Sequence, residues 1–112
     1  MKDLFLSQHN FSSLFFDPNT LTEEEREEKT REFALAIHHE MSSLIQGINF
    51  KGHLQKKNVS KSKILYEGID VFRYLLAIMN TWEISESDFV SAFWDKDVFL
   101  NMQHKEGQES WA

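Results

Sequence analysis

The segment from about Ser60 to about Asn80 predicts a helix that is apolar on two sides. One side carries Leu65, Ile69, Phe72 and Leu76, and the other carries Ile64, Val71, Leu75 and Ile78. A helix with so little polar surface has to be covered by other elements on both sides. The sequence therefore predicts an all-α helical bundle with this segment near its centre.

The rest of the chain fits one all-α domain. A chain of 112 residues is expected to form a single domain, and one Pro and four Gly are few for an all-β fold. The expected elements, in order, are a Phe-rich lead-in over 1–20 that forms a short helix or a turn, a helix over 22–47, a loop over 47–60, the helix over 60–80, a helix from 85 to about 104, and a polar tail or linker over 105–112.

Two of the helix starts carry a capping box. Thr22 is followed three residues later by Glu25, and Ser85 by Asp88. In such a pair each side chain accepts a hydrogen bond from the other residue's backbone N–H, which fixes where the helix begins.

Composition also excludes several classes of function. The chain has no Cys, which excludes disulfides, zinc–cysteine sites, iron–sulfur clusters and cysteine nucleophiles. The net charge of −6 argues against a nucleic-acid binder or a protein of anionic membranes. No apolar run is long enough for a membrane span, and the N-terminus lacks the apolar stretch of a signal peptide. We expect a cytoplasmic protein.

Three carboxylates lie where a helix should be packed. Glu40 lies between Ile37 and Leu44, on the apolar side of the first long helix. Glu67 and Asp70 are three residues apart, so they share one face of the next helix. They could cap a local turn, pair with lysines or lie at a solvated helix end, and Glu40 could be a satisfied core residue. Acidic groups on the packing faces of two neighbouring helices also invite a shared divalent ion, and oxygen ligands favour Mg²⁺, with Mn²⁺ as a substitute.

A basic stretch joins the two helices. Five of the nine lysines lie between residues 51 and 63, without an acidic residue among them. Metal-binding carboxylates next to lysines suit a polyphosphate, because both the metal and the ammonium groups neutralise phosphate oxygens. Within this stretch, His53 and Lys56 are candidate phosphate contacts, and the expected ligand is a nucleotide.

Three short stretches resemble a known family: EMSSLI at 40–45, INFK at 48–51, and EGIDVF at 67–72 followed by YLL at 74–76. They look like the all-α nucleoside triphosphate pyrophosphohydrolases, which include the MazG-like and dimeric dUTPase proteins. The resemblance covers about residues 33–103. It implies a MazG-like helical bundle completed by a dimer or tetramer, and hydrolysis of a nucleoside triphosphate between its α and β phosphates.

The resemblance also assigns residues. Glu40, Glu67 and Asp70 match metal ligands, and Glu40 is the candidate for orienting the attacking water. Ser43 occupies the place of a second Glu in the first motif, where it could act as a weak ligand. Two lysines match residues that contact the substrate: Lys51 and Lys96.

The same positions leave two other functions open. With Ser43 and Gln103 in place of a family Glu and Arg, the chain could be a catalytically weakened module that binds nucleotides or oligomerises. A plain helical adaptor could instead use the lysine-rich loop to bind an acidic protein.

Overall fold

The computed structural model describes the backbone of residues 1–47 and 60–111, and the side chains of 1–47 and 60–107. This part of the chain consists of four helices without a strand, which confirms the all-α fold class: α1 (Lys2–Ser12), α2 (Glu23–Gly47), α3 (Lys61–Thr81) and α4 (Glu86–Trp111). None of these helices combines the length and the hydropathy that crossing a bilayer requires.

Both predicted capping pairs mark a helix start, the first with both hydrogen bonds of a capping box and the second with one. The Thr22 amide donates to Glu25 Oε1 and the Glu25 amide donates to Thr22 Oγ1, both at 3.1 Å. At α4, the Asp88 amide donates to Ser85 Oγ at 3.1 Å. Because these hydrogen bonds satisfy amides that have no partner within the helix, α2 and α4 begin where the sequence places them.

Helices α2 and α3 pack antiparallel along most of their length. At one end the Trp82 Nε1 donates to Thr30 Oγ1 at 2.7 Å, and in the middle the rings of Phe33 and Tyr74 are 6.3 Å apart. The buried side chains of α3 are near its C-terminus, where Leu76 is 2% and Ala77 is 1% exposed. The sequence predicted that α3 lies near the centre of the bundle, and the C-terminal end of α3 is the part that is buried in this way.

Helix α1 covers the C-terminal half of α3. Arg73 Nη1 donates to Gln8 Oε1 at 2.9 Å, and Phe5 is buried against Phe89 of α4, with ring centroids 5.4 Å apart. The Phe-rich lead-in is therefore a helix and a part of the core, followed by a turn in which Pro18 is buried.

Helix α4 extends away from this core. Among the described elements it contacts α1 alone, and every residue from 91 to 106 is exposed. The radius of gyration is 18.1 Å, against about 13 Å for a compact chain of this length. Several large apolar side chains of α4 are more than half exposed: Phe93, Trp94, Val98, Phe99 and Met102.

The expected end of the last helix near His104 is wrong, because α4 continues to Trp111. Lys105, Glu106 and Glu109 are all good helix formers, and no Pro interrupts them. A polar composition indicated a tail, but polar residues are also what a solvated helix carries.

Arg26 ties three parts of the fold together. Its side chain is 14% exposed, and Nη1 donates to the carbonyl of Pro18 at 3.1 Å and to the carbonyl of Thr81. Nη2 donates to Glu83 Oε2 at 3.4 Å. Glu83 has a left-handed backbone, with φ 54°, where the chain turns from α3 to α4. Arg26 thus holds the start of α2, the Pro18 turn and the end of α3 in one place.

Replacing Arg26 with Met should lower the free energy of unfolding by roughly 2–3 kcal/mol, since charged hydrogen bonds to largely buried carbonyls are lost. Urea unfolding measures this. Arg31→Met is the matched control, because Arg31 is exposed on the same helix and should change stability by less than about 0.5 kcal/mol. Equal losses in the two variants would contradict the role of Arg26.

Candidate metal centre

Three carboxylates meet on the surface between α2 and α3. Glu40 comes from α2, while Glu67 and Asp70 come from adjacent turns of α3. One oxygen from each lies within 4.8 Å of the others. The antiparallel packing of the helices brings Glu40 opposite Glu67, and the three-residue spacing on α3 adds Asp70 on the same side. The sequence predicted these three residues as one group, and the structure brings them together.

The group is partly removed from water. Glu40 and Glu67 are half-buried and Asp70 is exposed. One oxygen of Glu67, Oε2, is fully buried and has no hydrogen-bond partner among the described residues. A buried carboxylate oxygen without a partner is unfavourable, so Glu67 is suited to receive a cation.

The neighbouring carboxylates also change the pKa of Glu40. A hydrogen bond with the Glu67 side chain raises the pKa of Glu40 above its usual range, and burial and the negative charges of Glu67 and Asp70 raise it further. The nearby His39 acts weakly in the opposite direction. The crowding of the three carboxylates therefore favours the protonated form of Glu40.

The donor set fits Mg²⁺ or Mn²⁺. All three side chains offer carboxylate oxygens, which are the ligands that hard divalent ions prefer. Two oxygens on one Mg²⁺ are at most about 4.2 Å apart, because each bond is about 2.1 Å long. The observed span of up to 4.8 Å therefore needs only small side-chain movements to reach that geometry.

Of the other predicted site residues that the structure describes, Ser43 follows Glu40 on α2 and Lys96 lies on a different helix. Ser43 is half-buried on α2, one turn after Glu40. Lys96 is on α4, which does not contact α2 or α3 within the described residues, and its Nζ lies 5.4 Å from the ring centroid of Phe99. The structure thus does not bring Lys96 to the carboxylates. Three residues of the basic loop that were predicted to contact phosphate or substrate lie outside the described residues: Lys51, His53 and Lys56.

A cleft of about 320 Å³ opens next to the carboxylates. Asp70 belongs both to the acidic group and to the wall of this cleft, which α1, α2 and α3 enclose together. The sequence did not predict this cleft. Its wall combines aromatic side chains, among them Phe16, Phe33 and Tyr74, with polar and charged ones, among them Gln8, Lys29, Glu32 and Arg73. A faint signal was available in the spacing of Arg73, which follows Asp70 by three residues and therefore shares its face of α3.

Replacing Glu40 with Gln should stabilise the metal-free protein at neutral pH. Because the folded state raises the pKa of Glu40, its stabilising, protonated form is present at low pH and is lost as the pH rises through that pKa. Gln resembles the protonated form at every pH, so the melting temperature of Glu40→Gln should exceed that of the wild type at about pH 8 and approach it in mild acid.

Thermal unfolding in a chelating buffer measures this difference across the pH range. Glu28→Gln, on the exposed face of the same helix, is the control and should show no such pH-dependent gain. A neutral-pH melting temperature for Glu40→Gln below that of the wild type would contradict the repulsion argument.

Comparison with protein-family models, curated proteins and solved structures found no significant match to this chain.

Proposed function

We propose that this protein is a Mg²⁺-dependent nucleotide pyrophosphohydrolase that cleaves a nucleoside triphosphate between its α and β phosphates. The observation that supports this most directly is the meeting of Glu40, Glu67 and Asp70, with a buried and unpartnered oxygen on Glu67. The resemblance of the segments around these residues to the all-α pyrophosphohydrolases supplies the reaction class.

Each residue of the group then has a role. Glu67 and Asp70 hold the ion from α3, and Glu40 holds it from α2. The ion supplies neutralisation of phosphate charge and polarisation of the phosphoryl group. Glu40 would also orient the attacking water, because a carboxylate oxygen can accept a hydrogen bond from it.

The phosphates are best accommodated on the α3 side of the site. Lys63 lies one helical turn before Glu67, and Lys61 begins the helix. The N-terminal end of a helix also carries partial positive charge, which favours anions. With the basic residues that precede them in sequence, these lysines would contact the outer phosphates.

A catalytically weakened nucleotide-binding module is the second candidate. Ser43 cannot act as a base as a carboxylate can, and Lys96 is not part of the site within one protomer. A site with these residues could still bind a metal–nucleotide complex, but it would lack two groups that would speed hydrolysis.

We also propose that the protein is a homo-oligomer. The exposed apolar side chains belong to α4, which contacts α1 alone among the described elements, and exposed apolar patches of this kind mark interaction sites. A second copy of the chain can cover this surface, and Lys96 could then approach the site of the neighbouring protomer.

Turnover and metal binding test the enzymatic proposal together. Mg²⁺ should raise the melting temperature of the wild type, since a ligand at a hundredfold its dissociation constant stabilises by about 2.7 kcal/mol. Asp70→Asn should lose most of this stabilisation and lower Mg²⁺-dependent pyrophosphate release from a nucleotide panel by at least about tenfold.

Asp95→Asn is the matched control, because Asp95 is exposed on α4 and away from the acidic group. Nucleotide-dependent stabilisation without pyrophosphate release would favour the weakened module. If Mg²⁺ stabilises the wild type and Asp70→Asn equally, the metal centre is wrong.

Light scattering tests the assembly. At tens of micromolar the wild type should have a mass of at least twice the 13.2 kDa of one chain. Val98→Asp should shift the mass towards one chain, because Val98 is 59% exposed within the apolar surface of α4. Ser91→Asp, at a polar exposed position of α4, should not. A monomeric wild type would contradict this proposal.

A further inference from the structure

The cleft beside the acidic group has aromatic walls suited to a flat ring. The ring centroid of Phe33 is 6.2 Å from that of Phe16 and 6.3 Å from that of Tyr74. The volume of about 320 Å³ is at the small end of the range of pockets for small molecules, which begins near 300 Å³. Such a space accommodates one ring system with part of a sugar rather than an extended chain.

The polar end of the cleft can read the edge of such a ring. Gln8 is 6% exposed, and its amide is fixed on both sides. Its Oε1 accepts from Arg73 Nη1 at 2.9 Å, and its Nε2 donates to Ser12 Oγ at 3.2 Å. A primary amide has two N–H groups and two lone pairs on its oxygen, so Gln8 keeps one donor and one acceptor for a ligand. Nucleobases carry donors and acceptors side by side on their edges.

The distance between the cleft and the acidic group suits a nucleotide with its base in the cleft and its phosphates at the carboxylates. Phe33 and Glu40 are seven residues apart on α2, as Glu67 and Tyr74 are on α3. Seven residues correspond to two helical turns and about 10 Å along the axis. A ring beside Phe33 and Tyr74 would therefore place its phosphates along the same helix–helix surface, towards Glu40 and Glu67, with Asp70 between the two regions.

We propose that this cleft binds the nucleobase of the substrate, with stacking on Phe33 and Tyr74 and recognition of the base edge by Gln8. The proposal rests on the function proposed above, because it adds to that function the place where the base of the nucleoside triphosphate binds. It also gives α1 a function, since this helix supplies Gln8 and closes the cleft.

Titration calorimetry on the wild type distinguishes the contribution of the base to the affinity from that of the phosphates. With Mg²⁺ present, nucleoside triphosphates should bind at least tenfold more tightly than inorganic tripolyphosphate, which has the charge but no base. Equal affinities would overturn the proposal. Nucleosides alone, titrated in a chelating buffer, should bind weakly without metal.

Two variants locate the base. Tyr74→Leu should weaken nucleoside triphosphate binding about tenfold, as loss of one base–aromatic stack does, and leave tripolyphosphate binding unchanged. Tyr66→Leu is the matched control on α3, since Tyr66 is 63% exposed and outside the cleft. Gln8→Glu keeps a partner for Arg73 but removes the free donor, so it should alter the ranking of the four bases. The melting temperature of the Gln8→Glu protein used for calorimetry checks that this variant is folded.

The outcomes separate this proposal from the proposed function. If Tyr74→Leu changes nucleotide affinity no more than Tyr66→Leu does, the cleft is not the base site, whatever the turnover. If tripolyphosphate does not bind with Mg²⁺, the metal centre fails, but nucleoside binding that is lost in Tyr74→Leu still supports the cleft. If neither probe binds, both proposals are overturned.

Discussion

The antiparallel packing of α3 against α2 determines where every group of the candidate site lies. It brings Phe33 opposite Tyr74 and, two turns further along, Glu40 opposite Glu67. The apolar sides of α3 require this packing, because a helix with so narrow a polar strip is unfavourable in water. Arg26 fixes one end of the pair by hydrogen bonds to the carbonyls of Pro18 and Thr81. The same burial that stabilises the helices thus forces like charges into one place.

That crowding of carboxylates connects stability with function. A chain selected for stability alone would have little reason to place an unpartnered Glu67 oxygen beneath the surface, next to Glu40 and Asp70. Removing one charge by protonation relieves the repulsion, and a divalent ion would relieve it more completely. A divalent ion at the candidate metal centre would therefore also stabilise the fold, because it would neutralise the same three carboxylates.

Local features of the structure could be predicted from the sequence, and features that depend on docking could not. The capping pairs Thr22–Glu25 and Ser85–Asp88 involve residues three apart, so sequence spacing is enough to identify them. The acidic group could be predicted because each carboxylate lies on a face that had to be packed. The aromatic cleft could not, because it forms only when α1 lies on α3, and the Phe residues of the lead-in have no clear periodicity. The end of α4 was missed because polar composition does not distinguish a solvated helix from a tail.

The position of α4 has a thermodynamic consequence. An isolated helix in water is marginal even when it is long, and most helices are stabilised by contacts of an apolar face. Helix α4 has such a face, but every residue from 91 to 106 is exposed, and α1 is the only described element that this helix contacts. If the homo-oligomer proposed above covers this face, most of the free energy that keeps this part of the helix ordered would come from association. Ordering of α4 and association would then be a single equilibrium, and the fraction of ordered helix would depend on the protein concentration, as in coupled folding and binding.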